Sequence, residues 1–302
     1  MVACLKAMLE RLIDYAGMFP PARLPFAEAL ALYESYSSHP DSWMLGRFIC
    51  PVSRLDDFQE KKVPCSVLGQ GGDTMEAFLA GLDADLAVIS RSSLPVEGFE
   101  VKLPALTLLD RDRVRALLEG MARRVQPFPF QVFLEGGIGD AESLGSLLDA
   151  MKQAPFAIPV GFKLRAGGLE AAAFPSAESL ATAVYACVRR GVPFKATAGL
   201  HHPMPRKDSK IGVTMHGFIN LFMAGVLAQA RDLGPKDLVK LLRDDHPIHF
   251  SFTSHSAGWL GHRVSLDEIR TIRASTMISF GSCSFDEPRD DLRQLGWLGD
   301  KA

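Results

Sequence analysis

The sequence lacks the features that would mark a membrane, secreted or zinc-ribbon protein. It has no run of about 18 apolar residues, and the first residues, MVACLKAMLERL, contain no apolar stretch as long as a signal peptide needs. Its five cysteines are odd in number and scattered, without a CxxC pair. These absences predict a soluble protein of a reducing compartment, and we expect it in the cytoplasm.

Charge of one sign is also missing. The chain has 33 basic and 35 acidic residues, so its formal net charge is −2. No overall field favours nucleic acid or an anionic membrane, and any anion must be bound locally. With 302 residues, 47% of them hydrophobic, the chain can build a large core.

The most informative stretch is a strand–helix–strand unit of parallel type between residues 161 and 203. GFKLRAGG and VPFKATAGLHHP each carry a lysine in a short apolar run that ends in glycine, and an amphipathic helix separates them. Side chains alternate along a strand, so Lys163 and Arg165 lie on the same face of their strand, and Lys195 and Thr197 lie on the same face of theirs. Cations inside a covered parallel sheet are costly, which indicates chemistry more than packing.

Alternating strands and helices predict a (β/α)8 barrel of TIM type over residues 1–302 as one domain, with a doubly wound open sheet as the alternative. The eight strand candidates lie at 11–15, 44–50, 64–68, 85–90 (DLAVIS), 130–135, 160–165, 193–198 and 277–282. FEVKLPAL, at about 99–106, contains Pro104 and is predicted to be an edge or an excursion. HFSFT and WLGHRV predict an added β-hairpin at about 247–264.

In such a barrel the working face lies at the C-terminal ends of the strands. Polar residues collect there, which favours an enzyme: Glu135, Lys163, Arg165, Lys195, Thr197, His201, His202, Ser282, Cys283 and Ser284. Arg47, embedded in an apolar strand, either pairs with an internal carboxylate or binds a ligand. Asp14, at the mouth of the first strand, is predicted to be a turn or cap carboxylate.

A lysine is a nucleophile only when neutral, so a Schiff-base site must lower its pKa by burial or by a neighbouring cation. Lys163 has Arg165 and Lys195 nearby, and Glu135 is a candidate proton shuttle. This predicts an enzyme for a small anionic carbonyl compound, most simply an aldolase-like carbon–carbon lyase without a cofactor. Two readings stay open: either lysine could be the nucleophile, and Glu135 and Lys163 could form a purely structural ion pair.

The same segments resemble a known enzyme family. GFKLRAGG, FKATAG and VFLEGG, within residues 85–200, are similar to segments of class I aldolases of the deoxyribose-phosphate aldolase type, although Leu164 and Arg165 replace small hydroxyl residues. The resemblance implies that Lys163 is the Schiff-base lysine, Lys195 its perturbing partner and Asp85 part of a proton relay. DYAGMFPPA, GLHHP and FGSCSFDEP also resemble a bacterial family of uncharacterised proteins.

Several alternatives compete with the lysine chemistry. Glu135, His202 and His216 are suitable ligands for a divalent metal in a hydrolase or isomerase, although adjacent His201 and His202 point apart in an extended chain. A non-catalytic barrel that binds a ligand or partner is a further alternative.

The last strand and the outer hairpin carry two further expectations. Gly281, Ser282 and Ser284 could bind an anion, and a polar loop with basic side chains could close over it (Arg206, Lys207 and Lys210). Cys283 is predicted to be inert. The aromatic hairpin predicts a possible subunit contact and so a homo-oligomer (Phe250, Phe252, Trp259 and Leu260).

Overall fold

Eight parallel strands form a closed barrel in the computed structural model, which describes residues 1–105 and 110–299. Numbered in chain order, the barrel strands are β1 (Ile13–Tyr15), β2 (Leu45–Pro51), β3 (Cys65–Leu68), β4 (Val96–Lys102), β5 (Gln131–Glu135), β6 (Gly161–Arg165), β7 (Phe194–Thr197) and β13 (Met277–Ser282). Around the barrel the order is β1-β13-β7-β6-β5-β4-β3-β2. The predicted (β/α)8 architecture is confirmed.

Helices connect most of the barrel strands and surround the barrel. They are α1 (Ala3–Leu9), α2 (Phe26–Ser37), α3 (Met75–Arg91), α4 (Arg111–Val125), α5 (Ala141–Gln153), α6 (Ala177–Arg190), α7 (Phe218–Arg231), α8 (Pro235–Arg243), α9 (Leu266–Ser275) and α10 (Asp286–Gln294). Within the described residues, none of these helices has the length and apolar character needed to cross a membrane.

Helix α6, between the two lysine strands, shows how local sequence sets an element. Ser176 caps its N-terminus by accepting a hydrogen bond from the backbone of Ser179, and Glu178 lies in the first turn. At the other end, Gly191 adopts the left-handed conformation with φ of 61°, which glycine reaches without steric cost. The chain therefore leaves the helix cleanly and enters β7.

Two strand assignments made from the sequence are wrong. DLAVIS, residues 85–90, belongs to helix α3, whose buried residues Phe78, Leu82, Leu86 and Ile89 recur at helical spacing. The fourth barrel strand is instead β4, which overlaps the segment at about 99–106 that was predicted to be an edge or an excursion. Pro104 lies beyond the end of β4 at Lys102, so it interrupts no hydrogen bonds of the strand. Residue 106 of that segment lies outside the described residues.

Two small antiparallel sheets lie between β7 and β13 in sequence. The predicted hairpin is a three-stranded sheet of β10 (Phe250–Phe252), β11 (Ser256–Trp259) and β12 (His262–Ser265). A second hairpin, which was not predicted, pairs β8 (Arg206–Asp208) with β9 (Val213–Met215). Phe250 and Trp259, expected in an external contact, are buried within this chain, whereas Leu260 is 55% exposed.

The hydrophobic core lies mainly between the strands and the helices. Phe48 on β2, for example, packs edge-on against Tyr33 of α2 and Phe58 of the turn before β3. The interior of the barrel is different, because buried polar side chains from six strands meet there. They are Asp14, Ser66, Glu100, Lys163, Lys195 and Ser279.

Candidate active site

The strand register places the two lysines side by side in the barrel. Lys163 of β6 lies opposite Lys195 of β7, and Glu135 of β5 lies opposite Lys163 on its other side. The apolar residues next to the lysines, such as Leu164 and Ala196, are fully buried. The alternation predicted from the sequence therefore directs both lysines to the polar interior.

Lys195 is fully buried and held by two carboxylates. Its Nζ lies 2.8 Å from Asp14 Oδ2 and 2.5 Å from Glu100 Oε1. Glu100 belongs to β4, which is separated from β7 by two strands, so this contact crosses the barrel. Asp14 also accepts hydrogen bonds from Ser279 Oγ at 2.6 Å and from the backbone N–H of Arg47 at 2.8 Å.

Lys163 also lies between two carboxylates. Its Nζ is 3.0 Å from Glu100 Oε2 and 3.1 Å from Glu135 Oε2. Glu100 thus bridges both lysines, and its Oε1 accepts a further hydrogen bond from Ser66 Oγ at 2.6 Å. Arg165 approaches the far side of Glu135, with Nη1 3.5 Å from Oε1.

These contacts form one row of alternating charges, here named the interior charge chain. Beyond Asp14 the row continues to the guanidinium of Arg47, whose Nη1 lies 3.8 Å from Asp14 Oδ2. The members in spatial order are Arg165, Glu135, Lys163, Glu100, Lys195, Asp14 and Arg47. Each buried charge therefore has a neighbour of opposite sign, which a water-poor interior requires.

Contacts within the interior charge chain shift the pKa values of its members. Burial disfavours the ammonium form of Lys163, but the carboxylates of Glu100 and Glu135 outweigh it and raise the pKa of this lysine. Burial would raise the pKa of Glu100, yet Lys195 and Lys163 hold that pKa far below its usual value. The expectation that neighbouring cations lower the pKa of Lys163 is wrong, because carboxylates lie between the cations.

The middle of the interior charge chain is buried and its two ends are more open, with Arg47 16% exposed at one of them. The side chains of Lys195 and Asp14 are 0% exposed, and that of Glu100 is 1% exposed. Lys163 and Glu135 retain 10% and 12%, and Arg165 is 51% exposed. At the Arg165 end, a solute from the bulk thus meets Arg165, Glu135 and Lys163 first.

Other residues predicted for the site line the same edge. Arg165 lies level with Thr197, and Thr197 with Gly281. Directly after Thr197, Ala198 adopts a φ of 60°, an uncommon conformation for a residue with a side chain. For Arg47 the sequence left open either pairing with an internal carboxylate or binding of a ligand. In the structure it pairs with the internal carboxylate of Asp14, and its Nε also lies 3.2 Å from a carboxylate oxygen of Glu97.

Asp85 does not join the lysines. It is buried on helix α3, where its carboxylate accepts hydrogen bonds from the backbone N–H and side-chain amide of Gln70 at 2.9 and 3.0 Å. Burial raises its pKa, and these hydrogen bonds offset the rise only in part. Its contacts fix the loop after β3, and the carboxylate that lies between the two lysines is that of Glu100.

The residues after β7 and β13 form a separate polar cluster. His201 Nδ1 lies 3.0 Å from Glu287 Oε2, and His202 Nδ1 lies 2.5 Å from Asp291 Oδ2. Burial would lower the pKa of His201, but its bonds to Cys283 and Glu287 raise that pKa to about 10. Helix α10 thus presents carboxylates here, which oppose the binding of an anion at its N-terminus.

The hydroxyls predicted to bind an anion are engaged locally. Ser282 Oγ donates to the carbonyl of Ser284 at 2.7 Å, and Ser284 Oγ accepts from the backbone N–H of Glu287 at 3.1 Å. Arg206, in the β8–β9 hairpin, lies 3.9 Å from Asp291. In this arrangement the loop contributes its arginine to the histidine–carboxylate cluster.

The alternative metal ligands are not brought together. Glu135 is in the interior charge chain, His202 pairs with Asp291, and His216 Nε2 lies 2.8 Å from the carbonyl of Pro175. Within residues 1–105 and 110–299, the one group of three potential ligands that converges is elsewhere, at Asp244, His246 and His249.

Sequence reasoning missed Glu100 and misjudged Asp14. The signal for Glu100 was a lone carboxylate within FEVKL, alternating with the buried Phe99 and Val101. Asp14 lies one residue before the end of β1, a position that also suits the turn or cap carboxylate that the sequence predicts. Ser66 and Ser279 carry no sequence signal that distinguishes them from other strand serines.

Comparison with known proteins adds a likeness of fold. No family model and no curated protein sequence matches the chain. It is similar to the deoxyribose phosphate aldolase from Aeropyrum pernix, described as tetrameric, with 15% identity over 67% of this chain and 85% of that chain and a TM-score of 0.46. It is also similar to QR15, an aldolase, with 10% identity over 77% and 96% and a TM-score of 0.48. At these values neither likeness bears on the chemistry.

Proposed function

We propose that the protein is an aldolase-like carbon–carbon lyase in which Lys163 forms a Schiff base with a small anionic carbonyl compound. The observation that carries the proposal is the unequal access of two bridged lysines. Glu100 contacts both, yet Lys195 is fully buried while Lys163 keeps 10% of its side chain exposed. Of the two, Lys163 is therefore the nucleophile, and Lys195 fixes the carboxylates beneath it.

The Arg165 end of the interior charge chain also has the charge to receive an anion. Arg165 is half exposed, and its contact with Glu135, at 3.5 Å, is long. Lys102 is exposed and lies level with Glu135 on the neighbouring strand. Arg165 of β6 and Lys102 of β4 thus flank Glu135, next to Lys163, and a carboxylate or phosphate group of a substrate would bind to these two cations.

The chemistry follows from these positions. The neutral amine of Lys163 attacks the carbonyl carbon and a C–N bond forms. The carbonyl oxygen takes up two protons, one from the attacking nitrogen and one from a general acid, and leaves as water when its C–O bond breaks. The resulting iminium accepts the electrons of the carbon–carbon bond when the β-hydroxyl gives up its proton. An aldehyde departs, and the remaining enamine is protonated on carbon and hydrolysed, which restores the amine.

In this proposal Glu135 moves these protons. It contacts Lys163 at 3.1 Å and is partly exposed, so both the amine and a bound substrate are within its reach. Glu100 is a poor proton carrier, because its lowered pKa keeps it charged at neutral pH. Its role in this proposal is to hold Lys163 and Lys195 in place.

The raised pKa of Lys163 has a direct consequence for the rate. At neutral pH most of this lysine is ammonium, so Schiff-base formation depends on proton loss to Glu135 or to solvent. We therefore expect activity to rise with pH from neutrality towards the alkaline range.

Exchange of α-hydrogens tests the proposal without knowledge of the full substrate. An enamine exchanges the α-hydrogens of its carbonyl donor with D2O, which proton NMR follows as signal loss. We expect the wild-type protein to catalyse exchange on at least one small aldehyde, ketone or keto acid, with or without a phosphate. Lys163→Met should reduce the rate to background, and the exposed-site control Lys236→Met should retain it. Exchange at the wild-type rate in Lys163→Met would overturn the proposal.

A further inference from the structure

A compact group of metal-ligand side chains lies outside the barrel, in the loop that follows helix α8. Asp244, His246 and His249 each bring one ligand atom to a common point, with all three atoms within 4.8 Å of one another. None of them contacts the interior charge chain, so this group needs an explanation of its own.

The spacing of the ligand atoms is close to what a divalent metal requires. His249 Nδ1 lies 2.7 Å from Asp244 Oδ2, and His246 Nδ1 lies 3.4 Å from Asp244 Oδ1. Tetrahedral zinc with bonds of about 2.0–2.2 Å separates its ligand atoms by roughly 3.3–3.5 Å. Since no two of the three ligand atoms are more than 4.8 Å apart, changes of about 1 Å in their separations would complete the geometry.

The carboxylate of Asp244 is preorganised by two hydrogen-bond donors. Trp259 Nε1 donates to Asp244 Oδ2 at 2.7 Å, and the backbone N–H of His246 donates to Oδ1 at 3.0 Å. Only 8% of the Asp244 side chain is exposed. Outer partners of this kind orient a ligating carboxylate and raise the affinity of a site.

The backbone of the loop is fixed as well. Buried Asn220 of helix α7 donates from Nδ2 to the carbonyls of Leu241 and Asp244 at 2.7 and 2.8 Å. The imidazoles are more open, with His246 68% and His249 37% exposed. Rigid support on one side and solvent on the other is the arrangement of a site with three protein ligands and one open position.

We propose that Asp244, His246 and His249 form a surface site for one divalent transition metal, with zinc the expected occupant. Two imidazoles and one carboxylate suit zinc and its neighbours in the first row, and disfavour calcium and magnesium, which prefer oxygen ligands. The metal takes the Nδ1 lone pair of each neutral imidazole, whose one ring proton then lies on Nε2, and a proton is released to solvent only from an imidazole that was charged before binding. Through Asp244 and Trp259 the metal would join the end of α8 to strand β11.

Calorimetric titration of the full chain with zinc chloride, after removal of any affinity tag, tests the site. We expect one equivalent to bind with a micromolar dissociation constant and to raise the melting temperature by several degrees. His246→Gln and His249→Gln should each weaken binding at least tenfold. His255→Gln, at an exposed histidine outside the group, should leave the affinity unchanged.

Melting temperatures without metal show whether each variant folds, and magnesium serves as the comparison ion. Absence of zinc binding to the wild-type chain at 100-fold molar excess would overturn the proposal. Wild-type affinity in His249→Gln would also overturn it, because the metal would then lie elsewhere.

Discussion

Replacing Lys195 by methionine removes the cation at the centre of the interior charge chain. Methionine has nearly the same length and fits an apolar environment, so the change deletes charge with little change in volume. It leaves Asp14 and Glu100 buried, at 0% and 1% side-chain exposure, without the ammonium that lies 2.8 and 2.5 Å from them. Glu100 keeps Lys163 and Ser66, and Asp14 keeps Arg47 and Ser279.

Loss of one partner from a buried ion pair costs about 3–5 kcal/mol, because the other charge stays desolvated. We expect a loss of unfolding free energy in this range at pH 8, since each carboxylate retains one cation. Lys236→Met, at an exposed position in helix α8, is the matched control and should change stability by less than about 0.5 kcal/mol. Urea unfolding followed by tryptophan fluorescence and far-UV circular dichroism measures both.

The difference in stability between the wild type and Lys195→Met should depend on pH. In the wild type the pKa values of Asp14 and Glu100 are lowered, so their stabilisation is present above the pKa of the unfolded state and is lost at low pH. In the variant these pKa values rise, and protonation relieves the unpaired charge as pH falls. The difference in unfolding free energy between the wild type and Lys195→Met should therefore become smaller towards low pH, by up to about 1.4 kcal/mol per pH unit for each carboxylate that is protonated.

Two outcomes would refute this reasoning. A loss of unfolding free energy below about 1 kcal/mol at pH 8 would mean that water or a rearrangement of the site screens the carboxylates of Asp14 and Glu100 in the variant. A loss that grows as pH falls would mean that the carboxylates of Asp14 and Glu100 are not the groups left unpaired.

Three further changes probe the neighbours of the chain. Glu135→Gln removes one of the carboxylates that raise the pKa of Lys163. The yield of the Schiff base on Lys163, measured by reduction with borohydride, should therefore begin to rise at a lower pH than in the wild type, and an unchanged dependence of this yield on pH would contradict the role of Glu135 in raising that pKa. Gly46→Ala would bring a Cβ into collision with Asp14 Oδ1 and should destabilise the protein by about 1–3 kcal/mol in thermal unfolding. Full stability would mean that the carboxylate of Asp14 lies elsewhere. Asp85→Asn should lower stability by about 1–3 kcal/mol yet leave trapping on Lys163 intact, and lost trapping would restore Asp85 to the relay.

Much of the barrel could be predicted because its signals are local. Short apolar runs alternating with amphipathic segments identified seven of the eight strands within a few residues, as in GFKLR for β6. The failure at DLAVIS has a physical cause. Six apolar-rich residues fit either a strand or one face of a helix, and only the longer spacing from Phe78 to Ile89 distinguishes them.

The site was predictable only in part, because its key contact is not local. Parity along β6 and β7 was enough to place Lys163 and Lys195 on the interior face. The partnership of Glu100 with Lys195, 95 residues apart, exists only because the barrel closes and brings β4 across from β7. The sequence alone therefore suggests that the lysines lower each other's pKa, whereas in the closed barrel carboxylates lie between them and neutralise their charges.

The central claim is that Lys163 carries the carbonyl compound, and chemical trapping tests it most directly. Sodium borohydride reduces a Schiff base to a stable secondary amine, so intact-protein mass and peptide mapping reveal both the ligand and its lysine. With pooled aldehydes, keto acids and sugar phosphates, we predict a substrate-dependent mass gain on Lys163 that disappears in Lys163→Arg and persists in Lys236→Met. A gain mapped to Lys195 or to surface lysines, or none at any pH between 7 and 9, would contradict the account.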